Sequence, residues 1–329
     1  MPYPASEPDD LVHAFDGGTV RQSRFSFSAM DGTRLSALRC MVEITGSGRK
    51  AKDRRSSVPL ILLPSARHDS NQMLPLVLRM QALQDAPRTC YILDQRGRGF
   101  SEKADPDTYI PPVEADDLIA LTDMLGIHHA DVLANGDAGA TAYLATPKRP
   151  TLIRRLILND AAPEFDPVGI ARRVPLLRSL PQPRDWADAA NILEIAYRAQ
   201  FPKFASREWE LLAQMSYADT DGRPERVHDP MLDERYVHLD IDQRQPTFWE
   251  ELAMLRNRPV LLLRGEHSML VTADIAKRVA DSHPDLAEIV VHDHGDMPVL
   301  ALGDLPQRIV HFLQKPDPQP APLDDEQDL

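Results

Sequence analysis

The sequence predicts an α/β fold: a mostly parallel, doubly wound sheet with an inserted helical lid. Three observations carry that prediction. Short apolar runs of strand length alternate with segments whose apolar residues recur at helical spacing. From residue 164 to 255 the strand pattern disappears and only helical spacing remains. Beyond it, strand and helix patterns resume as far as residue 314.

Residues 1–20 are polar and proline-containing, and are expected to form a flexible N-terminus. Phe25 and Phe27 alternate in the run 24–29, and Met30-Asp31-Gly32-Thr33 reads as a hairpin turn before a strand from Leu35 to Ile44. Residues 46–57 are basic and rich in glycine and serine, the composition of an exposed loop. Val58 to Leu63 is wholly apolar, as in a strand buried on both faces. Met73, Val77 and Met80 fall at helical spacing, Cys90 to Leu93 is a short strand, and Leu118, Leu121 and Leu125 mark a helix. The strand Asp131 to Ala134 runs into a small-residue helix at Ala138, and Leu152 to Leu158 is the next strand.

Within 164–255, Trp186, Ala190, Leu193 and Tyr197 form one helical stripe, and Trp209, Leu212 and Ser216 suggest another. Both tryptophans fit their stripes and read as core. Pro259 to Arg264, Asp274 to Ser282, Ala287 to Val291 and Leu305 to Leu313 then read strand, helix, strand, helix. From Lys315 proline and acid dominate, which predicts a disordered tail over 315–329. The expected layout is therefore a core of 21–163 and 256–314 with a lid of 164–255 closing over the carboxyl ends of the strands, where sites of such sheets lie.

Composition excludes several functions. Of 329 residues, 43% are hydrophobic and 26% charged, as in an ordinary globular protein. A formal net charge of -13 would be repelled by nucleic acid and by anionic membrane surfaces. No apolar run approaches the roughly 18 residues of a membrane helix, and the N-terminus lacks the basic and apolar regions of a signal peptide. Cys40 and Cys90 sit in apolar strand patterns, so buried thiols are expected rather than a disulfide. The expected location is the cytoplasm.

The most informative segment is Ala134-Asn135-Gly136-Asp137-Ala138-Gly139. An apolar strand, a glycine-rich turn and a small-residue helix are the parts of a nucleophile elbow, which lifts one side chain above the sheet. Here the tip is glycine, or aspartate if the turn slips by one residue.

Several segments in the same order support a resemblance. Asp94-Gln95-Arg96-Gly97-Arg98-Gly99-Phe100-Ser101, Glu114-Ala115-Asp116-Asp117-Leu118, Leu125-Gly126-Ile127, Arg155-Leu156-Ile157-Leu158-Asn159-Asp160 and Pro259-Val260-Leu261-Leu262-Leu263-Arg264-Gly265-Glu266 together resemble the α/β-hydrolase fold family over about residues 24–314. The resemblance implies a nucleophile, an orienting acid and a histidine base. Carried over position by position, these fall on Gly136, Met269 and Asp296, none of which can play its usual part. On the oxyanion side the chain reads Pro64-Ser65-Ala66, where the N–H groups of Ser65 and Ala66 are the candidate donors. Asp94, Arg96 and Arg98 read as loop ties, and Asp160 as a structural acid at a strand end.

Three functional readings follow. The leading one is a hydrolase-like protein that no longer hydrolyses covalently and binds a small, moderately apolar molecule or a protein partner, with no cofactor and with a homodimer possible. The second is a rewired hydrolase acting on esters, epoxides or carbon–halogen bonds, in which Asp137 attacks and His294, or His292, is the base beside Asp296. Against it, Asn135 stands where a small residue is required, and an acid at 137 also suits the first turn of a helix. The third is a lyase or cofactor-free enzyme on the same fold. His292-x-His294-x-Asp296 would share one face of an extended segment and so resembles a metal set. It has no second cluster to join, so no metal is expected; Asp69 follows His68 near the oxyanion loop, where His267 is the further pocket candidate.

Overall fold

A computed structural model describes residues 11–15, 18–44, 58–83, 88–237 and 245–316. The loop expected over 46–57 therefore lies outside the described residues, as do 1–10 and 317–329. A nine-stranded sheet organises the chain. Strands β1 (Leu11–Phe15), β2 (Gly18–Ser28), β3 (Arg34–Ile44), β4 (Leu60–Leu63), β5 (Cys90–Asp94), β6 (Ala130–Asn135), β7 (Ile153–Asn159), β10 (Val260–Gly265) and β11 (Leu286–Val291) lie in the order β1-β2-β3-β5-β4-β6-β7-β10-β11. The first three are antiparallel to their neighbours, and the six from β5 to β11 run parallel.

The parallel strands are continuous apolar runs because both their faces are covered. Leu60, Ile61, Leu62 and Leu63 are all fully buried, as are Val132, Leu133 and Ala134. Helices α1 (Leu74–Ala82), α2 (Pro111–Leu125), α3 (Ala138–Lys148), α9 (Ala273–Ser282) and α10 (Leu305–Gln314) pack in two apolar layers, one on each face. After β4 the chain moves outward to β5 and then returns to β6 on the other side. This reversal makes β4 and β6 the topological switch point, and the loops leaving their carboxyl ends meet in one crevice.

Two expectations need correction. The segment 1–20 is not uniformly unstructured, since β1 and the start of β2 lie within it. Thr19, Arg21 and Ser23 hid that strand, which is half-buried: Val20 and Gln22 point inward while the polar residues face out. The insertion between β7 and β10 is also not helical alone. Beside α4 (Pro167–Ser179), α5 (Trp186–Tyr197), α6 (Ser206–Ser216), α7 (Met231–Val237) and α8 (Trp249–Met254) it carries a hairpin of β8 (Tyr217–Thr220) and β9 (Arg223–Arg226). Asp221 and Gly222, both at positive φ, make its two-residue turn.

Local chemistry sets the helix starts of the insertion. Asp166 accepts the N–H groups of Val168 and Gly169, and Asp185 accepts that of Asp188. Trp209 is 2% exposed and packs with Ala190, Leu193 and Phe201 in a small core of the insertion's own. Hydrogen bonds from Gly99 N to Val227 O (2.6 Å) and from Tyr109 Oη to Asp229 Oδ2 (2.8 Å) tie the insertion to the main body.

Candidate functional site

The loop after β5 is built from ion pairs, as the sequence indicates. Asp94 takes Arg24 at 2.6 Å and accepts the N–H groups of Ser70 and Phe100. Arg96 grips Asp117 through two hydrogen bonds of 2.7 and 2.6 Å and reaches Asp31 at 2.8 Å. Arg98 pairs with Glu114 and donates to the carbonyl of Ala66, which fixes the loop after β4. The scaffold thus holds the β4 loop against the turn after β6.

At that turn Gly136 adopts φ +55, a left-handed conformation that glycine enters without strain. Its N–H bonds to the Asn159 carbonyl at 2.8 Å, and Asn159 in turn donates to Asn135 and to the Pro298 carbonyl. A Cβ on Gly136 would lie 2.5 Å from the sulfur of Met297 and 3.8 Å from the Cβ of Ser65. The space in front of the turn is therefore filled by a methionine. Met297 is itself at φ +57, uncommon for a bulky residue, and its N–H donates to Asp160 Oδ2 at 3.1 Å. Asp160, at φ +51, holds that strained backbone in place.

Asp296 is buried. Its Oδ1 accepts the N–H groups of Met269 (2.8 Å) and Leu270 (3.3 Å), and the hydroxyl of Ser268 at 3.3 Å. Gln200 completes the site by accepting from the Asp296 N–H at 3.1 Å. Ser268 also donates to Asp160 at 2.9 Å, so two acids share one hydroxyl. The positions singled out at 136, 269 and 296 do converge, with Asp160, Ser268 and Gln200 joining them.

Burial and the nearby Asp296 charge push the Asp160 carboxyl up to about 7. Its folded value exceeds the unfolded one of about 4, so the folded protein keeps a proton that the unfolded chain sheds. The resulting stability is complete below pH 4 and lost as pH rises toward 7. Asp160→Asn resembles the protonated acid, and urea denaturation should show a shallower loss of stability over that window. A slope equal to the parent's would contradict the assignment.

The expected oxyanion donors are both engaged. Ser65 N donates to Gln72 Oε1 and Ala66 N to Asp137 Oδ1, each at 2.8 Å. Asp137 stands just ahead of α3 without capping it. His294 is not brought to Asp137. Its Nδ1 lies on the His292 carbonyl, its Nε2 has no hydrogen-bond partner, and its ring packs edge-on to Phe201 and Phe204. The shared face expected for His292, His294 and Asp296 also fails, because β11 ends at Val291 and the chain turns at Asp293, φ +59. His267 is exposed beside Glu266 and Asp293, outside the cavity. Those three could offer ligand atoms within 4.8 Å of one another, though Glu266 already accepts from His292 and Asp293.

Between the β4 loop, the elbow and the insertion lies a cavity of about 120 Å³. Its wall includes Leu177, Leu193, Phe201 and Met215 from the insertion, with Asp296 and Met297 at its floor. Arg67, Arg173, Arg226, His68 and His228 also line it. Of these five only His68 is noted in the sequence, beside Asp69 near the oxyanion loop; the three arginines and His228 carry no spacing signal there. Burial, with the nearby guanidinium groups of Arg67 and Arg173, lowers the His68 imidazole to about 3, so it is neutral.

Comparison with known proteins agrees with this architecture. Residues 79–300 match the alpha/beta hydrolase fold family. The chain is 26% identical over 207 residues to 2-(acetamidomethylene)succinate hydrolase of Mesorhizobium japonicum, covering 62% of this chain and 70% of that one. It is 25% identical over 215 residues to 3-hydroxybutyrate-oligomer hydrolase of Cupriavidus necator, covering 62% and 72%. Among solved structures, an alpha/beta hydrolase from Novosphingobium aromaticivorans superposes with a TM-score of 0.75 at 25% identity, over 89% of this chain and 98% of that one. Among the described residues no helix is long and apolar enough to cross a membrane. With two thirds of its length matched and its sheet, switch point and elbow in place, this chain belongs to the alpha/beta hydrolase fold family.

Proposed function

We propose that this member of the family binds a small, moderately apolar molecule beneath a lid formed by residues 164–255, and does not hydrolyse it through a covalent intermediate. The observation that carries the reading is the Met297 sulfur against Gly136, in the volume an attacking side chain would need. On this view Gly136, Met269 and Asp296 stand where hydrolytic members place nucleophile, acid and base. A carboxyl group whose Oδ1 already accepts two N–H groups and a hydroxyl is a poor relay for a nucleophile's proton. Asp137, by taking the Ala66 N–H, occupies a donor that would otherwise stabilise an oxyanion.

The relatives are named as hydrolases, so loss of hydrolysis would be a departure within the family. The rewired alternative, with Asp137 attacking and His294 as base, has no supporting contact: one Asp137 oxygen is held by Ala66, and the imidazole is packed elsewhere.

The test is pre-steady-state hydrolysis of p-nitrophenyl butyrate in excess over protein, for the parent and for Gly136→Ser. Neither should give a burst, and any residual rate should stay within about 10³ of that in water. Gly136→Ser should also unfold more easily by about 1–3 kcal/mol, from its left-handed φ and the displaced Met297. A stoichiometric burst from the parent would overturn the reading.

A further inference from the structure

We propose that the cavity recognises a carboxylate: a small organic acid with its charged group among Arg67, Arg173 and Arg226 and its hydrocarbon body against Leu177, Leu193, Phe201 and Met215. This names the ligand class of the cavity and rests on the non-hydrolytic reading of the same site.

The chain as a whole is acidic, at -13, yet the cavity wall gathers three arginines and two histidines against a single acid, Asp296. Its Oδ1 accepts from Met269, Leu270 and Ser268, and its Oδ2 from Gln200 Nε2 at 3.5 Å. The other nearby carboxylate, Asp233, serves three groups at once: Arg67 at 2.8 Å, Arg226 at 3.1 Å and His228 at 3.0 Å. One negative charge therefore faces two guanidinium groups. Arg173 adds a third guanidinium at the elbow end, where its Nη2 lies 3.8 Å from the Met297 sulfur.

Two of the arginines are already aimed. Arg67 donates to the Leu177 carbonyl and Arg226 to the Leu180 carbonyl, which holds the guanidinium groups before any ligand arrives. Arg67 Nε and His228 Nδ1 are buried without a hydrogen-bond partner, and the His228 side chain is 5% exposed. Unmet polar atoms in an apolar wall are costly unless a guest meets them.

His68 reports the local field. The guanidinium groups that keep a proton off its ring, Arg67 and Arg173, would favour an anion placed beside it. Ser65 Oγ lies 2.7 Å from His68 Nδ1 and accepts from Gln72 Nε2, which fixes the imidazole at the cavity wall. A carboxylate matches this set, because guanidinium groups pair with it through two parallel hydrogen bonds. A volume of about 120 Å³ suits a guest of benzene-like size, which fills a cavity of about 150 Å³ elsewhere.

The test is calorimetric titration of the full chain with benzoate and with benzamide, its neutral near-isostere. Benzoate should bind at least about tenfold more tightly. Arg173→Gln should lower benzoate affinity by at least about tenfold and so narrow its preference over benzamide. Equal affinity for acid and amide, or no benzoate binding at millimolar concentration, overturns the carboxylate assignment, and this comparison needs no variant to fold. Turnover of p-nitrophenyl benzoate with benzoate still preferred would instead sink the non-hydrolytic reading and leave the carboxylate assignment standing.

Discussion

Arg96→Met is expected to lower folding stability by about 3–5 kcal/mol, the largest effect of any single substitution proposed for this chain. Arg96 is 1% exposed and binds Asp117, equally buried, through two hydrogen bonds. Removing the guanidinium leaves the Asp117 carboxylate uncompensated inside the protein, where desolvation already pushes its carboxyl upward. Urea denaturation at neutral pH measures the loss. The double variant Arg96→Met, Asp117→Leu should recover most of it, because two apolar residues of similar volume do not leave a lone charge. Asp31 makes a useful contrast. Arg96 lowers its carboxyl to about 2, so its contribution is present above about pH 4 and fades as pH falls toward 2. Asp31 is 43% exposed, however, and Asp31→Asn should cost less than about 1 kcal/mol. A single-variant loss at Arg96 no larger than that at Asp31 would mean that the β5 loop does not depend on the buried pair.

Gly265→Ala should be nearly as damaging, at about 3 kcal/mol, and should also disturb the cavity. Gly265 ends β10 where the 292–297 loop crosses it. A Cβ there would lie 2.0 Å from the Gly295 carbonyl oxygen and 2.6 Å from that of His294. Both are backbone atoms, so no rotamer change relieves the contact and the loop itself must move. That loop carries Asp296, whose bond to Met269 N closes the floor of the site, and Met297, whose sulfur covers Gly136. Thermal unfolding and calorimetry with a cavity ligand should therefore fail together. A variant with the parent's melting temperature would show that the close crossing of these two segments is not required.

Much of this was legible in the sequence where one physical rule dominated. The strands Leu60–Leu63 and Ala130–Asn135 read directly because burial on both faces demands continuous apolar residues. The turn at Gly136 read from its glycine-rich sequence, and the structure brings Met269 and Asp296 together through the Met269 N–H. What was not legible depended on contacts between distant segments. Nothing local marks Met297 as the residue that fills the elbow, since its direction is set by Asp160 more than a hundred residues away. Asp137 looked like a first-turn acid or a nucleophile, and its bond to Ala66 N appears only when the β4 and β6 loops meet. The arginine cluster was equally hidden, being drawn from the β4 loop, α4 and β9. The polar face of β2 masked a strand because a half-buried strand resembles a loop in composition.

The central claim is that no side chain at this elbow forms a bond to the guest. Intact-mass spectrometry tests it most directly, after incubating the native chain with activated esters, a fluorophosphonate, epoxides and haloalkanes. The account predicts an unchanged mass with every reagent. A stoichiometric adduct that peptide mapping places on Asp137, or on any residue lining the cavity, would contradict it.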